Sequence, residues 1–367
     1  MKVLLASHAY TAPGGQHKLH SLSAAAKMRL TVITPMRWRD VLFTVSPQNK
    51  NTPSYRHLTL PTHFDGKVNR FFYRANLSKL LRDIAPDILH IEQEPHSLVA
   101  AQFAWAKPRH ARGVIFTWEN IDQPIHPIQR LIRKFVLSKM DFVIGGNDEA
   151  TQVMKRAGWR GATAVIPQLG VEIFEQNKIA QLRRQRRAEW NLGNDIFVVG
   201  YIGRLIEEKG LLDLVAAISQ LEGSHFVALG EGRLKQQLQS NTQTMVLSAV
   251  PHDDVPSILS AMDVLVLPSR TTPRWKEQFG HVLIEAMACG VPVIGSDSGA
   301  ISEVIGEAGL VFPEGDVEAL RAGLIRLRDN VSLRNKFGEL GLRRVQEKYT
   351  HARIAQQTLD VYRHLLT

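Results

Sequence analysis

Short apolar runs alternate with stretches of helical period along nearly the whole of this 367-residue chain, and they do so in two separate series. A parallel sheet built from βαβ units accounts for such alternation. In the first series Val3–Ala6, Leu30–Ile33, Ile88–Ile91, Val114–Thr117 and Phe142–Gly145 read as buried strands. Residues 40–62 are weakly periodic and carry Pro47, Pro53 and Pro61, so they are expected to be irregular or at a sheet edge. The segment 170–194 breaks the rhythm with the charge-dense run QLRRQRRAEWNLG, and a short helix and an interdomain linker are expected there. The second series follows: IFVVGYIG, HFVALG, Thr244–Val250, VLVLP, VPVIGS and GLVFP as strands, with helices over Gly210–Leu221, Pro256–Met262, Gly280–Ala288 and Val317–Asp329. The tail Leu333–Leu366 reads as helix, with a break at Tyr349–Thr350. The length suits two domains at roughly 100–200 residues each. The expected division is 1–170, a linker 171–194, a second domain 195–349 and a terminal helix 350–367.

Charge separates the halves. Residues 1–170 hold 23 Lys and Arg against 11 Asp and Glu, a balance of +12, whereas the whole chain is +10. The positive excess therefore lies in the first half, which suits an acidic partner such as anionic lipid or a phosphate-bearing acceptor. No nucleic-acid motif accompanies it, so nucleic acid is not expected as a partner. The single cysteine, Cys289, sits in the apolar run AMACGVPVI; it is expected to be a small buried hydrophobe, in a chain suited to the reducing cytoplasm. The opening MKVLLAS is too short an apolar run for a signal peptide and reads as a first strand. No run is long enough to span a membrane.

Ligands of parallel sheets bind beyond the carboxyl ends of the strands, so the informative residues are those just after them. After VLVLPS comes EQFGHVLIEAMACGVPVIGSDSG, with Glu277 on a loop and Glu285 eight positions later inside a helix. Gly280 opens that helix, and the backbone N–H groups of Gly280, His281 and Val282 at its start form an anion site. After IFVVGYI comes GRLIEEKG, where Arg204 offers a guanidinium fork and Lys209 a point charge to phosphate oxygens. After the first strand, Pro13-Gly14-Gly15 lets backbone approach a ligand. A full GxGxxG, a phosphate-binding GxxxxGK[ST], HExxH, Asp-x-Asp and GxSxG are all absent, so no metal or other cofactor is expected. His8, His90 and His96 lie near strand ends and are expected to be structural.

GRLIEEKG, VLVLPS, EQFGHVLIEAMACGVPVIGSDSGAISEVI and GLVFPEGDVEAL, in this order, resemble family 4 of the retaining glycosyltransferases. VIPQLGVEIF is similar to that family's domain-crossing segment. The resemblance implies a GT-B fold: two Rossmann-like domains with parallel sheets facing across a cleft, and a last helix crossing back to the N-terminal, acceptor-binding domain. It implies a nucleoside diphosphate sugar donor as co-substrate and no metal requirement. Arg204 and Lys209 would hold the diphosphate, Glu277 the donor sugar's hydroxyls and Glu285 the ribose. Phe279, Gly280, His281 and Val282 would touch sugar and phosphate, and Gly15 would lie near the diphosphate. Where many members carry a His after the strand VIFTW, this chain has Glu119 and Asn120, which become candidates for the acceptor side. Where the strand before the base pocket often ends in Gly, it has Ser248.

The implied reaction is same-face sugar transfer to a glycan or lipid-linked acceptor in polysaccharide or glycolipid biosynthesis. A cytoplasmic enzyme is expected, peripheral to the inner membrane face if its acceptor is lipid-linked. Two basic stretches suit that: GKVNRFFYRANLSKLLRD, and Arg130, Arg133, Lys134 and Lys139. The alternatives are a non-catalytic nucleotide-sugar-binding protein and another GT-B enzyme such as a sugar-nucleotide epimerase.

Overall fold

The computed structural model describes residues 1–12, 15–24, 28–39, 44–45, 50–51, 54–193, 195–240 and 243–367. Pro13 and Gly14 of the glycine loop, and most of 40–53, lie outside the described residues. The chain forms two compact units, residues 1–170 with 351–367, and residues 171–350.

The first unit is built on a sheet with β1 (Lys2–Ser7), β2 (Arg29–Pro35), β3 (Arg56–Leu60), β4 (Ile88–Glu92), β5 (Arg112–Thr117), β6 (Phe142–Gly145) and β7 (Ala162–Val165). These run parallel in the order β7-β6-β5-β4-β1-β2-β3, with the two-residue strand Lys50–Asn51 antiparallel at the β3 edge. All five first-series runs are strands. β3 and β7 were not foreseen as strands; with Lys50–Asn51, β3 forms one edge of the sheet, within the stretch expected to be irregular or edge structure. His57 and Thr59 are buried on one face of β3, while half-buried Leu58 and Leu60 pack against the apolar core on the other; His57 Nε2 is 2.9 Å from Thr34 Oγ1. Around the sheet lie α1 (Gln16–Ala24), α2 (Leu77–Ile84), α3 (Leu98–Ala106), α4 (Pro127–Leu137) and α5 (Asp148–Arg156). Side-chain caps from Asn76, Ser97 and Asn147 start α2, α3 and α5 by accepting from backbone N–H groups three residues on.

The second unit begins with α6 (Gln176–Glu189), in the segment expected as linker. Its basic run is not a solvated face. Arg187 is buried, donates to Asp263 at 2.5 Å and to the carbonyls of Ala261, Gly193 and Ile196, while Arg183 meets the other Asp263 oxygen at 2.6 Å. The sheet then comprises β8 (Phe197–Ile202), β9 (Ser224–Leu229), β10 (Thr244–Leu247), β11 (Val264–Leu267), β12 (Val293–Ser296) and β13 (Gly309–Phe312), all parallel in the order β10-β9-β8-β11-β12-β13. Its helices are α7 (Leu211–Ile218), α8 (Lys235–Gln239), α9 (Val255–Ser260), α10 (His281–Ala288), α11 (Ile301–Ile305), α12 (Val317–Arg328) and α13 (Val331–Lys348). The last helix, α14 (His351–Leu366), belongs to the first unit. There Ile354, Ala355, Leu359, Val361 and Tyr362 join the core of β1, β2, β4 and α1. No helix among the described residues is long and apolar enough to cross a membrane. Cys289 is buried, as its context implied, and burial pushes its thiol up to about 12.

Candidate functional site

In the second unit the strand order reverses between β8 and β11, which lie side by side although two strands separate them in sequence. Such a switch point opens a crevice beyond the strand ends. The loops that leave it here are those of Arg204–Lys209 and Ser269–Glu277. Lys209 ends a single 3-10 turn that closes on Gly210, whose φ of 66° is left-handed. A Cβ at Gly210 would lie 1.8 Å from the Pro268 carbonyl oxygen, so glycine lets the two loops meet. Lys209 Nζ donates to Glu277 Oε2 at 2.5 Å and stands 4.8 Å from the centre of the Trp275 ring. The same carboxylate oxygen accepts from Ser269 Oγ at 2.8 Å. Glu277 is buried, and its carbonyl accepts from Ala300 N at 3.1 Å. Arg270 forks onto Asp213 with two 2.6 Å bonds and so fixes the start of this loop on α7. Arg204 is exposed, with no ion-pair partner among the described residues; Tyr201 Oη donates to its carbonyl.

The loop runs directly into α10. Gly280 is the N-cap, with a φ of 75°. Phe279 is buried edge-on against Tyr349, with ring centres 5.7 Å apart. Leu283 N closes the first turn on the Gly280 carbonyl at 2.8 Å. One turn in, Glu285 Oε1 lies 3.1 Å from His281 Nδ1. Burial would raise the Glu285 carboxyl, but the His281 and His252 rings beside it hold it below its ordinary value. A half-buried carboxylate that stays charged, one turn into a helix that follows a cationic loop, is a set of groups that can hold a hydroxylated, phosphorylated ligand.

Thus the structure brings Lys209 and Glu277 into contact and pairs Glu285 with His281. Ser269, Trp275 and Asp213 are additions that sequence reasoning missed; Ser269 was in plain view as the last residue of VLVLPS.

The first unit has its own switch point, between β1 and β4. Gly15 lies in the loop after β1, where a Cβ would meet the Ala9 carbonyl oxygen at 2.7 Å. Beyond β4 and β5 sit Glu94, His96, Glu119 and Asn120. Glu94 accepts from Thr117 Oγ1 at 2.5 Å and from Trp118 N at 2.9 Å. His96 Nδ1 is 3.4 Å from Glu119 Oε2, and Arg133 lies 3.4 Å from the other Glu119 oxygen. Burial raises the Glu94 carboxyl. Burial opposes charge on His96, but Glu119 and Glu94 outweigh it and raise the imidazole. One donor atom from each of Glu94, His96 and Glu119 lies within 4.8 Å of the others, a spacing that could take a metal ion. The Arg133 guanidinium already supplies a positive charge to Glu119, which favours a hydrogen-bonding cluster. Asn120 is buried, with Nδ2 3.5 Å from Glu149 Oε2. His90 is structural, 2.7 Å from the Tyr362 hydroxyl.

Comparison with known proteins adds independent information. Residues 183–344 match the family model of glycosyl transferases group 1. The 2-deoxystreptamine N-acetyl-D-glucosaminyltransferase of Streptomyces fradiae is 36% identical over 138 residues, 34% of this chain and 32% of that protein. The capsular polysaccharide biosynthesis glycosyltransferase CapM of Staphylococcus aureus is 30% identical over 185 residues, 47% of each chain. The chain thus spans half or less of the length of these two relatives. Over the whole chain, sucrose-phosphate synthase from Thermosynechococcus elongatus superposes with a TM-score of 0.74 at 22% identity, covering 100% of this chain and 99% of that one. Anabaena Alr3699/HepE in complex with UDP gives 0.73 at 17% identity, covering 98% of each. These likenesses show the GT-B fold expected from the sequence. Residues 183–344, the part similar to glycosyl transferases group 1, carry the Lys209–Glu277 and His281–Glu285 pairs.

Proposed function

We propose that this protein is a retaining glycosyltransferase that moves a sugar from a nucleoside diphosphate sugar to a glycan or lipid-linked acceptor, in polysaccharide or glycolipid biosynthesis. The observation that carries this reading is the contact of Lys209 with Glu277 at the switch point of the second sheet, with Arg204 exposed on the same loop as Lys209. The names of the relatives, sugar transferases and a UDP complex among them, support it.

Sugar transfer breaks the bond between the anomeric carbon and the phosphate oxygen, and charge grows on the leaving diphosphate. Cations and N–H dipoles already in place stabilise that charge most, because they need not reorganise as the bond breaks. Arg204 and Lys209 would take the diphosphate, with the amides of Gly280, His281 and Val282. These cations belong to the chain, so turnover is expected to survive chelation of divalent metal. Glu277 is held on one oxygen by Lys209 and Ser269, which suits orienting sugar hydroxyls rather than attacking carbon. The new bond would form on the face the phosphate leaves, and the acceptor proton would pass to the leaving phosphate oxygen. Glu285, kept ionised, would bind the ribose hydroxyls. Glu119 and Asn120 would serve the acceptor. Gly15, in the loop after β1, would lie near the diphosphate. The work would be cytoplasmic, and at an anionic membrane face when the acceptor is lipid-linked.

The test is nucleoside diphosphate release from a panel of UDP-, GDP- and ADP-sugars with a chelator present, with glycan and lipid-extract acceptors. Turnover of one donor with retained anomeric configuration is expected. Donor binding with no turnover by any acceptor, or turnover into an epimeric sugar nucleotide, contradicts the reading.

A further inference from the structure

One surface of the first unit is apolar where nothing within the unit requires it to be. Trp105, on α3, is 78% exposed, the most exposed large hydrophobic side chain among the described residues. Its ring lies 6.2 Å from that of half-buried Phe135 on α4, so the two helices present one continuous surface. On α4, Leu131 is 68% and Ile128 61% exposed. At 100° per residue Ile128, Leu131 and Phe135 fall along one edge of the helix. Lys134 lies about 60° round the helix from Leu131 and Arg130 about 100° from it, so both are exposed cations on the flank of the strip. Val136 and Leu137 point inward and are buried.

The charges around this strip are of one sign. Residues 95–118 and 123–140, which include both helices, contain no Asp or Glu. The unit's own carboxylates satisfy some of the cations: Asp141 meets Lys107 and Arg112, and Glu119 meets Arg133. Arg109, Arg130 and Lys134 are exposed and form no ion pair among the described residues. An apolar strip bounded by uncompensated cations, with a tryptophan at its margin, is the composition of an element that lies in the interface of an anionic bilayer. A water-facing helix would not leave leucine, isoleucine and indole together in solvent. A protein partner of matching charge would need an acidic rim around an apolar groove, whereas anionic lipid offers both features over any area.

The geometry points to the α3–α4 surface as a docking site for an anionic lipid bilayer, with Trp105, Ile128 and Leu131 entering the headgroup region and Arg130 and Lys134 meeting lipid phosphates. This names the place on the first unit where a lipid-linked acceptor would be met. It does not depend on the donor chemistry.

Sedimentation of the full chain with sucrose-loaded vesicles tests it. Vesicles of phosphatidylcholine are compared with vesicles rich in phosphatidylglycerol, at low and high salt. The wild type is expected to sediment with the anionic vesicles, to be released by salt and to ignore the neutral ones. Removing either cation, as Arg130→Gln or Lys134→Gln, should weaken partitioning about fivefold. Leu131→Glu and Trp105→Ala should each weaken it roughly tenfold or more. Lys348→Glu, on the second unit, should change nothing. These side chains are exposed, so unchanged urea melting verifies each variant's fold. Indifference of the wild type to phosphatidylglycerol overturns the inference, and so does equal binding by all variants. So does a patch whose Leu131→Glu variant changes only the mass of the protein in solution, which would make it a protein contact. Donor binding measured on the same preparations stays intact if only the docking inference fails, and is absent if the transferase reading fails.

Discussion

Glu277 is a buried carboxylate and Glu285 a half-buried one, and their surroundings divide their work. Glu277 shares one oxygen with a lysine and a serine, which fixes its direction. Glu285 is held ionised by two histidines and is available for neutral hydroxyl donors. Glu285→Gln keeps the shape and removes the charge. It is expected to raise the donor KM by roughly 10–100-fold, the worth of a hydrogen bond to a charged group, with kcat changed much less. Steady-state kinetics against the donor measures this split. The motif residues were legible in the sequence because the chemistry demands particular types just after strands. Their partners were not. Ser269, Trp275 and Asp213 come near only through folding, and no local pattern marks a serine that will meet a glutamate eight positions away.

At the scale of elements, buried apolar strands were easy to read and polar ones were not. β1, β2, β4 and β5 announce themselves by continuous burial, whereas β3 alternates buried His57 and Thr59 with half-buried Leu58 and Leu60 over only five residues, too short a signal beside the irregular stretch before it. The helix α6 shows the converse. Its charge-dense run gives no sign of burial, yet Arg187 is buried and, with Arg183, clasps Asp263 just before β11. That carboxylate also accepts from Val198 N at 2.7 Å, so it ties α6, β8 and β11 together. Its loss leaves a buried guanidinium unpaired. Asp263→Ala is therefore expected to cost about 3–5 kcal/mol, read as a lowered urea midpoint. An unchanged midpoint would show that α6 is not held in this way.

Taken as a whole, the chain leaves its first unit at residue 170, builds the second and returns with α14. His90 on β4 and Tyr362 on α14 are 272 positions apart and in contact, so the first unit is complete only when the last helix has arrived. Burial lowers the His90 imidazole from 6.5 to about 4, with Glu92 opposing and Lys18 assisting. Between these values the unfolded chain binds a proton that the folded one refuses. Stability is therefore full above about pH 6.5, falls as the pH drops towards 4 and levels off below, by up to about 3 kcal/mol. His90→Gln should flatten that part of the pH profile in urea melts. Glu92, held below its ordinary value against burial by Lys18, loses its contribution at still lower pH.

The central claim is that the cations and carboxylate at the switch point of the second sheet drive sugar transfer. It is tested most directly by comparing wild type, Lys209→Ala and Glu277→Ala in one assay of nucleoside diphosphate release, with a chelator present and the donor saturating. The account predicts donor turnover by the wild type and a loss of about 10²–10³-fold in each variant. Turnover unaffected by either substitution, or a wild type that binds no nucleoside diphosphate sugar, would contradict it.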